Sequence, residues 1–279
     1  MNYRSLLVLL DHDPACVTRL QVAMRLARER DCHLVGLAPT GLIDLPAATQ
    51  AAAPLADYAA HAWDALRDMA ENATQRFRDE CRKAGVKSSE AVIDEADKAA
   101  SVVRHAHCSD LVVLTQARGG IDYRAEQALI EDVVLYSARP TLVLPRNVPV
   151  DGVGRKALVA WDDSRESARA LNDALPLLLQ AQQVQLARWK KPGAPENELL
   201  PGRLEAVTRW LMWHGVACEA GAEVSDQPIA KAILSRATGM SADLVVMGAY
   251  GRARWAERVL GGATRDMLTT STVPLLMSH

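Results

Sequence analysis

Continuously apolar runs alternate with longer amphipathic stretches from one end of the chain to the other. Residues 6–10 and 244–247 contain no polar side chain, and such runs are typical of parallel strands that are buried on both faces. A helical stretch follows each of these strands, so strand and helix alternate throughout. This order predicts right-handed crossovers and an α/β fold with a doubly wound parallel sheet.

The same order of elements, βαβαβαβαβ, is predicted for each half of the chain, with strand order 3-2-1-4-5. In the first half, strands are expected near 5–11, 33–38, 90–94, 110–115 and 141–145, and helices near 15–30, 56–84, 97–107 and 124–137. In the second half, strands are expected near 156–162, 183–189, 217–223, 243–248 and 273–278, and helices near 165–180, 196–214, 227–239 and 256–270.

Four matched segments, in the same order in both halves, indicate an internal repeat. The pairs are 6–11 with 157–162, 85–86 with 215–216, 109–114 with 242–247, and 139–144 with 273–277. The spacing between partners falls after the first pair because the first half carries a longer loop near 39–54. Residues 146–154 hold two glycines and a proline and form the expected linker. The predicted domains are therefore 1–146 and 155–279.

The composition favours an ordinary globular protein. The chain has 279 residues and a formal net charge of −2, which supplies no global attraction to nucleic acid or to an anionic membrane. Its five cysteines include no CxxC pair, which argues against a disulfide framework or a zinc site. The first apolar run is too short for a signal peptide, and no run reaches the roughly 18 residues of a membrane span. A cytoplasmic protein is therefore expected.

Two strand ends in the second half carry residues suited to ligand binding, since ligands of open parallel sheets lie beyond the carboxyl ends of the strands. One strand ends at Trp161-Asp162, and the carboxylate is an acceptor for a ribose or a base. The other strand is followed by Gly248 and Gly251. These glycines permit tight turns and a close approach of the backbone to a ligand.

A second pair of glycines, Gly261-Gly262, precedes residues 263–268, where the last helix starts or continues. Bare backbone N–H groups at the start of a helix favour an anion. Thr264 adds a hydroxyl donor. Together these residues predict an anion-binding loop.

In these residues the second half resembles the universal stress protein family. The resemblance rests on 158–164, 242–264 and 273–276, and the tandem arrangement extends it over nearly the whole chain. The family's nucleotide motif is G-x2-G-x9-G followed by Ser, Thr or Asn. This chain has Gly262 in the place of the hydroxyl residue, which removes one phosphate hydrogen bond, roughly 1.5–3 kcal/mol if charge-assisted.

The resemblance implies that this half binds an adenine nucleotide, ATP or AMP, with Mg²⁺ accompanying ATP. The adenosine end would lie against the ends of the first two strands, at Ala160, Trp161, Asp162, Arg188 and Trp189. Trp189 either stacks on the adenine or fills the pocket. The ribose and phosphates would lie against the residues after the fourth strand, which are Met247, Gly248, Gly251, Gly261, Gly262, Ala263 and Thr264.

The first half departs from the motif. It keeps Asp11, but Thr115, Arg118 and about Ala128 stand at the glycine positions. Side chains there obstruct close backbone approach, so this half is expected to be structural. The resemblance also implies that the strands near 141–145 and 273–278 pair across a pseudo-twofold axis to form an internal dimer, and a homodimer is a further expectation.

Each candidate also has a structural alternative. The glycines are common turn formers, residues 162–164 suit a helix cap, and Trp210 and Trp213 suit either a packing face or a protein interface. The sequence contains no GxSxG, Walker A or GxGxxG motif, so no catalytic residue and no metal site are predicted. Three functions stay open: a stress-response protein with a regulatory nucleotide, a nucleotide-free scaffold for a protein partner, and a slow ATPase.

Overall fold

The computed structural model describes residues 2–41, 53–146, 148–193, 203–251 and 262–279, and for residues 53–60 it describes the backbone. The strands are β1 Ser5–Leu9, β2 His33–Pro39, β3 Ser89–Asp94, β4 Leu111–Thr115, β5 Thr141–Leu144, β6 Lys156–Ala160, β7 Gln183–Lys190, β8 Glu219–Val224, β9 Leu244–Gly248 and β10 Leu275–Ser278. The helices are α1 Cys16–Arg30, α2 Ala53–Ala84, α3 Lys98–Ala106, α4 Tyr123–Tyr136, α5 Arg165–Leu178, α6 Arg203–Trp213, α7 Ile229–Gly239 and α8 Gly262–Thr270.

The elements follow the predicted order, and their ends lie within a few residues of the predicted ones. The predicted helix starts near 196 and 256 lie outside the described residues, as does most of the loop near 39–54. The first strand is shorter than predicted, because the chain leaves the sheet after Leu9.

One sheet contains all the described strands, in the order β3-β2-β1-β4-β5-β10-β9-β6-β7-β8. Each half contributes strands in the order 3-2-1-4-5, and neighbours within a half are parallel. The predicted fold class, two doubly wound α/β units, is confirmed.

The two halves meet where β5 pairs antiparallel with β10, with Leu142 opposite Leu276. This is the pairing that the sequence analysis expected of the fifth strands. Both leucines are fully buried, so the seam continues the core instead of interrupting it. The antiparallel pair gives the strand order its symmetry about the centre of the sheet.

Successive residues of each strand face opposite sides of the sheet, which creates two cores. Leu6 and Val8 belong to the core under α1, α2, α5 and α6. Leu7 and Leu9 belong to the core under α3, α4, α7 and α8. Each core includes residues of both halves. Helices thus cover both faces, as continuously apolar strands require.

Polar contacts reinforce the seam. The Tyr3 hydroxyl donates to the Asp173 carbonyl oxygen at 2.6 Å, and the Gln116 amide donates to the Ser271 carbonyl oxygen at 2.8 Å. Arg30 donates to the Pro176 carbonyl oxygen. Each of these bonds joins one half to the other, so the halves pack as one body.

All five cysteines are free, and burial raises the pKa of the Cys32 thiol to about 11. Among the described helices, none combines the length and the apolar character needed to cross a bilayer.

Asp173, which lies at the seam, predicts a pH-dependent stability. Burial raises the pKa of its carboxyl, even though Ser278 Oγ donates to it at 2.8 Å. A raised folded-state pKa means that stability is greatest below the unfolded value of 3.8 and is lost as the pH rises through the folded value. The neighbouring Arg169, at 3.7 Å, is half exposed and offsets little of this cost.

We expect Asp173→Asn to raise the Tm near neutral pH, by roughly 2–4 °C for each kcal/mol regained. The amide oxygen still accepts from Ser278, and the buried charge is gone. The gain should disappear in acid, where the wild-type carboxyl is protonated. Calorimetry across a pH series measures both effects. Asp226→Asn, at an exposed carboxylate, is the control. A lower Tm for Asp173→Asn at neutral pH would contradict the argument.

Candidate functional site

The strand order of the second half reverses between β6 and β9, which are paired with Ala160 opposite Met247. From β6 the chain proceeds to β7 on one side, while β10 lies on the other side of β9. Such a reversal leaves a crevice beyond the carboxyl ends of the two strands. The loops after β6 and β9 therefore border the same crevice, as predicted.

The glycines after β9 allow this loop to pack on the first turn of α5. A Cβ at Gly248 would lie 2.5 Å from Ser167 N, and a Cβ at Gly251 would lie 2.9 Å from Glu166 Oε2. The close packing against α5 thus explains why position 248 is a glycine, without any ligand. At Gly262 a Cβ would meet nothing within 4 Å in the part of the chain that the structure describes. Gly261 lies outside the described residues.

The residues after β6 form the helix cap that was one of the two alternatives for them. Ser164 is the N-cap of α5, and its Oγ accepts from Ser167 N at 3.1 Å. Asp162 Oδ1 accepts from the Ser164 hydroxyl at 2.5 Å and from its backbone N–H at 3.1 Å. Asp162 remains exposed at the lip of the crevice. Asp163, with φ at 64°, pairs with Arg203 at 2.8 Å.

Thr264 and its neighbours lie at the start of α8. Thr264 is buried, and its Oγ1 accepts from Tyr250 N at 3.1 Å. Tyr250 has a φ of 59°, in the left-handed region, so this hydrogen bond helps to hold the turn after β9. The predicted phosphate donor thus has a structural contact. Ala263 is half-buried and Gly262 is exposed.

The two tryptophans predicted to line the adenosine lie on opposite faces of the sheet. Trp161 is 7% exposed and belongs to the core under α5 and α6, and its indole N–H has no partner among the described residues. Trp189 packs against the other core, with Ala160 and Met247. Its indole N–H donates to Glu223 Oε2 at 3.0 Å. The structure thus gathers Ala160, Met247 and Trp189 on one face and leaves Trp161 on the other.

Glu166 is a residue of this site that the sequence reasoning missed. It is 4% exposed, and its carboxylate lies beside Gly251. Burial alone would raise its pKa, but a hydrogen bond from Arg165 at 2.5 Å and the nearby His279 hold the pKa below its ordinary value. The carboxylate is therefore ionised near neutral pH. An acidic residue two positions after a Ser N-cap was the available signal, since acids favour the first helical turn.

Arg19 fills the corresponding crevice of the first half. It is 2% exposed, and it pairs with Asp11 at 2.7 Å. Its other nitrogens donate to the Leu9 carbonyl oxygen at 2.8 Å and to Thr115 Oγ1 at 3.0 Å. Asp11, the motif residue that this half keeps, is thereby engaged inside the protein.

Arg146 closes the same strand ends from outside. It donates to both carboxylate oxygens of Asp13, at 2.6 and 2.8 Å, and to the Gln116 carbonyl oxygen at 2.8 and 3.0 Å. Burial alone would raise the pKa of Asp13, but the hydrogen bond from Arg146 holds it below its ordinary value. Two arginines thus occupy the first-half crevice, whereas glycines border the second.

The fold and the crevice define a doubly wound α/β protein with a glycine-bordered site at the strand switch of its second half. Residues 154–279 match the family model described as the universal stress protein family. No curated protein matches the chain.

Two solved structures resemble the chain over nearly its whole length. A universal stress protein from Archaeoglobus fulgidus DSM 4304 has a TM-score of 0.74 at 15% identity, covering 98% of this chain and 97% of that one. A functionally unknown protein from Pseudomonas aeruginosa PAO1 has a TM-score of 0.59 at 15% identity, covering 99% and 92%. At such identities the likeness shows the fold, and it extends through the first half as well as the second.

Gly248 and Gly262 form a matched pair for testing why the site has glycines. We expect Gly248→Ala to lower the free energy of unfolding by about 1–3 kcal/mol, because the added methyl group overpacks the start of α5. Gly262→Ala should leave stability unchanged or slightly higher, because its methyl group meets no atom of the described residues. Denaturant titration measures both variants. Equal losses for the two would contradict the packing argument.

The buried Arg19 provides a second test, of the first half. Arg19→Met should lower the free energy of unfolding by about 2–3 kcal/mol, since Asp11 and the Leu9 carbonyl oxygen lose a charged hydrogen-bond donor. Arg78→Met, at an exposed position of α2, is the control and should change little. An Arg19→Met protein as stable as wild type would show that the buried ion pair contributes nothing.

Proposed function

We propose that the second half binds an adenine nucleotide, ATP or AMP, in the crevice beyond β6 and β9, as the regulatory ligand of a stress-response protein. The observation that carries the proposal is the difference between the two crevices. In the first half, Arg19 and Arg146 occupy the strand ends. In the second, the corresponding strand ends are bordered by Gly248 and Gly251, within residues that match the universal stress protein family.

Gly262 offers a place for phosphates. No atom of the described residues lies within 4 Å of a Cβ at Gly262, which supports a place for a ligand beside the start of α8, and backbone N–H groups near a helix start attract anions. The missing hydroxyl at 262 removes one side-chain donor, so the backbone N–H groups become the main donors. Thr264 Oγ1 accepts from Tyr250 N and keeps its own O–H as a further donor. The expected affinity is therefore moderate.

The ionised Glu166 beside Gly251 determines how phosphates approach. Like charges repel, so a phosphate next to this carboxylate requires a compensating cation. Arg165 already bonds to Glu166 and has a side chain that is 76% exposed. Within the described residues, no group of three or more His, Cys, Asp or Glu side chains could hold a metal ion. Mg²⁺ would thus arrive bound to the phosphates of ATP.

A nucleotide-free scaffold is the second candidate, and exposed apolar side chains on α6 favour it. Met212 is 63% and Trp213 is 76% exposed, whereas Leu211 is buried. Leu211 and the partly buried Trp210 pack against the core, whereas Trp213, the other residue of the packing-face alternative, lies in solvent beside Met212. Such residues suit a protein partner.

Equilibrium titration of purified protein with ATP, AMP and GTP tests the proposal. We expect the two adenine nucleotides to bind and Gly262→Val to weaken both about tenfold or more, because the branched side chain enters the ligand space and costs at least one charged hydrogen bond. Its open position leaves the fold intact, which a Tm measurement verifies. Gly119→Val, at an open glycine of the first half, is the control and should bind like wild type.

Asp162→Ala should weaken binding as well, since it removes the acceptor at the lip of the crevice. No binding of ATP or AMP at about 1 mM ligand would overturn the proposal and leave the scaffold. Mass analysis of ligand released from freshly purified protein is an independent measurement of the same point. Phosphate release from ATP, with Mg²⁺ present, should stay at background and thereby separate a regulatory ligand from a slow ATPase.

A further inference from the structure

A cavity of about 190 Å³ lies on the other side of the molecule from the proposed nucleotide crevice, where α1 approaches the linker and the end of α5. Arg25 and Arg30 line it from the first half, and Arg155 lines it from the second. Glu29 and Asp151 are the carboxylates of its wall. The lining therefore carries one net positive charge, and it is shared between the two halves.

None of the three arginines forms an ion pair with a carboxylate in the described part of the chain. Arg25 donates to the carbonyl oxygens of Val150 and Asp151, and Arg30 donates to that of Pro176. Carbonyl oxygens carry only partial charge, so they satisfy hydrogen bonds without neutralising the guanidinium groups. The side chain of Arg155 is exposed.

Arg30 is the least compensated of these charges. It is 6% exposed, and its Nε is buried with no acceptor among the described residues. A buried donor without a partner costs about 1–3 kcal/mol, and more when it is charged. Burial lowers the pKa of this guanidinium, which shows that the surroundings disfavour the charge. A nearby anion would reverse that balance.

We propose that this cleft between the halves binds a small oxyanion of the phosphate type, held by Arg25, Arg30 and Arg155. Guanidinium groups present planar, paired donors that match the oxygens of phosphate. Sites for drug-sized ligands occupy roughly 300–1,000 Å³, so this cavity suits a phosphate group and is too small for a whole nucleotide. Because both halves supply arginines, the bound anion also stabilises their packing.

Arg155 is the residue to change first, because the described structure assigns no hydrogen bond to its side chain. Titration with inorganic phosphate at constant ionic strength, with chloride as the reference anion, measures binding by calorimetry and by the rise in Tm. Arg155→Gln should weaken phosphate about tenfold, the effect of one charged hydrogen bond. Arg28→Gln, at an exposed arginine of α1 outside the cavity, should bind like wild type.

Glu29→Gln should change the phosphate affinity in the opposite direction. It removes a negative charge from the wall and should tighten phosphate binding several-fold. A general effect on folding would not weaken one variant and strengthen the other. Glycerol 3-phosphate, run beside inorganic phosphate, identifies the source of the anion: tighter binding assigns the site to a phosphoryl group on a small molecule, and weaker binding assigns it to the free anion.

Phosphate binding in the nucleotide crevice is the competing explanation, and Gly262→Val separates the two sites. We expect this variant to bind phosphate like wild type even if it loses ATP. Phosphate affinity that survives Arg155→Gln but is lost in Gly262→Val would overturn the proposal, and so would equal affinities in Arg155→Gln and Arg28→Gln. Failure of the protein to bind ATP would leave the result of this experiment intact.

Discussion

The antiparallel pairing of β5 with β10 is the interaction on which the rest of the structure depends. Each half has a complete 3-2-1-4-5 sheet, but its fifth strand would be an apolar edge without the other half. Pairing these edges joins two units into one sheet and extends both cores across the seam. It also brings α1 to the linker, and so creates the cleft that Arg30 and Arg155 share.

Within this shared sheet the two crevices differ in what lines the strand ends. At the second crevice, the backbone of Gly248 packs closely against the backbone of Ser167, and no side chain of Gly248 extends into the crevice. In the first crevice, charged side chains occupy the strand ends: Arg19 pairs with Asp11, and Arg146 pairs with Asp13. The buried Arg19 depends on Asp11, because removing that carboxylate would leave the guanidinium charge uncompensated.

Electrostatics restricts what each site accepts. The second crevice combines backbone donors with the ionised Glu166, so an anion there benefits from an accompanying cation. The cleft at the linker has the reverse balance, with arginines in excess over carboxylates. Under the two proposals, a nucleotide with its metal ion would bind in the second crevice, and a bare oxyanion would bind in the cleft at the linker. The two sites are built from separate residues, which permits each to be changed without the other.

The sequence by itself determined the fold class, because the two-sided burial of parallel strands leaves uninterrupted apolar runs such as 244–247. It also located Asp162, Gly248 and Gly251. Only the tertiary structure decided that Trp161 is a core residue while Trp189 lies on the other face, since the pairing of β6 with β7 decides which faces of the two strands coincide. The role of Glu166 and the filling of the first crevice by Arg19 likewise required the structure. Both depend on contacts between separate elements, and local sequence patterns do not predict such contacts.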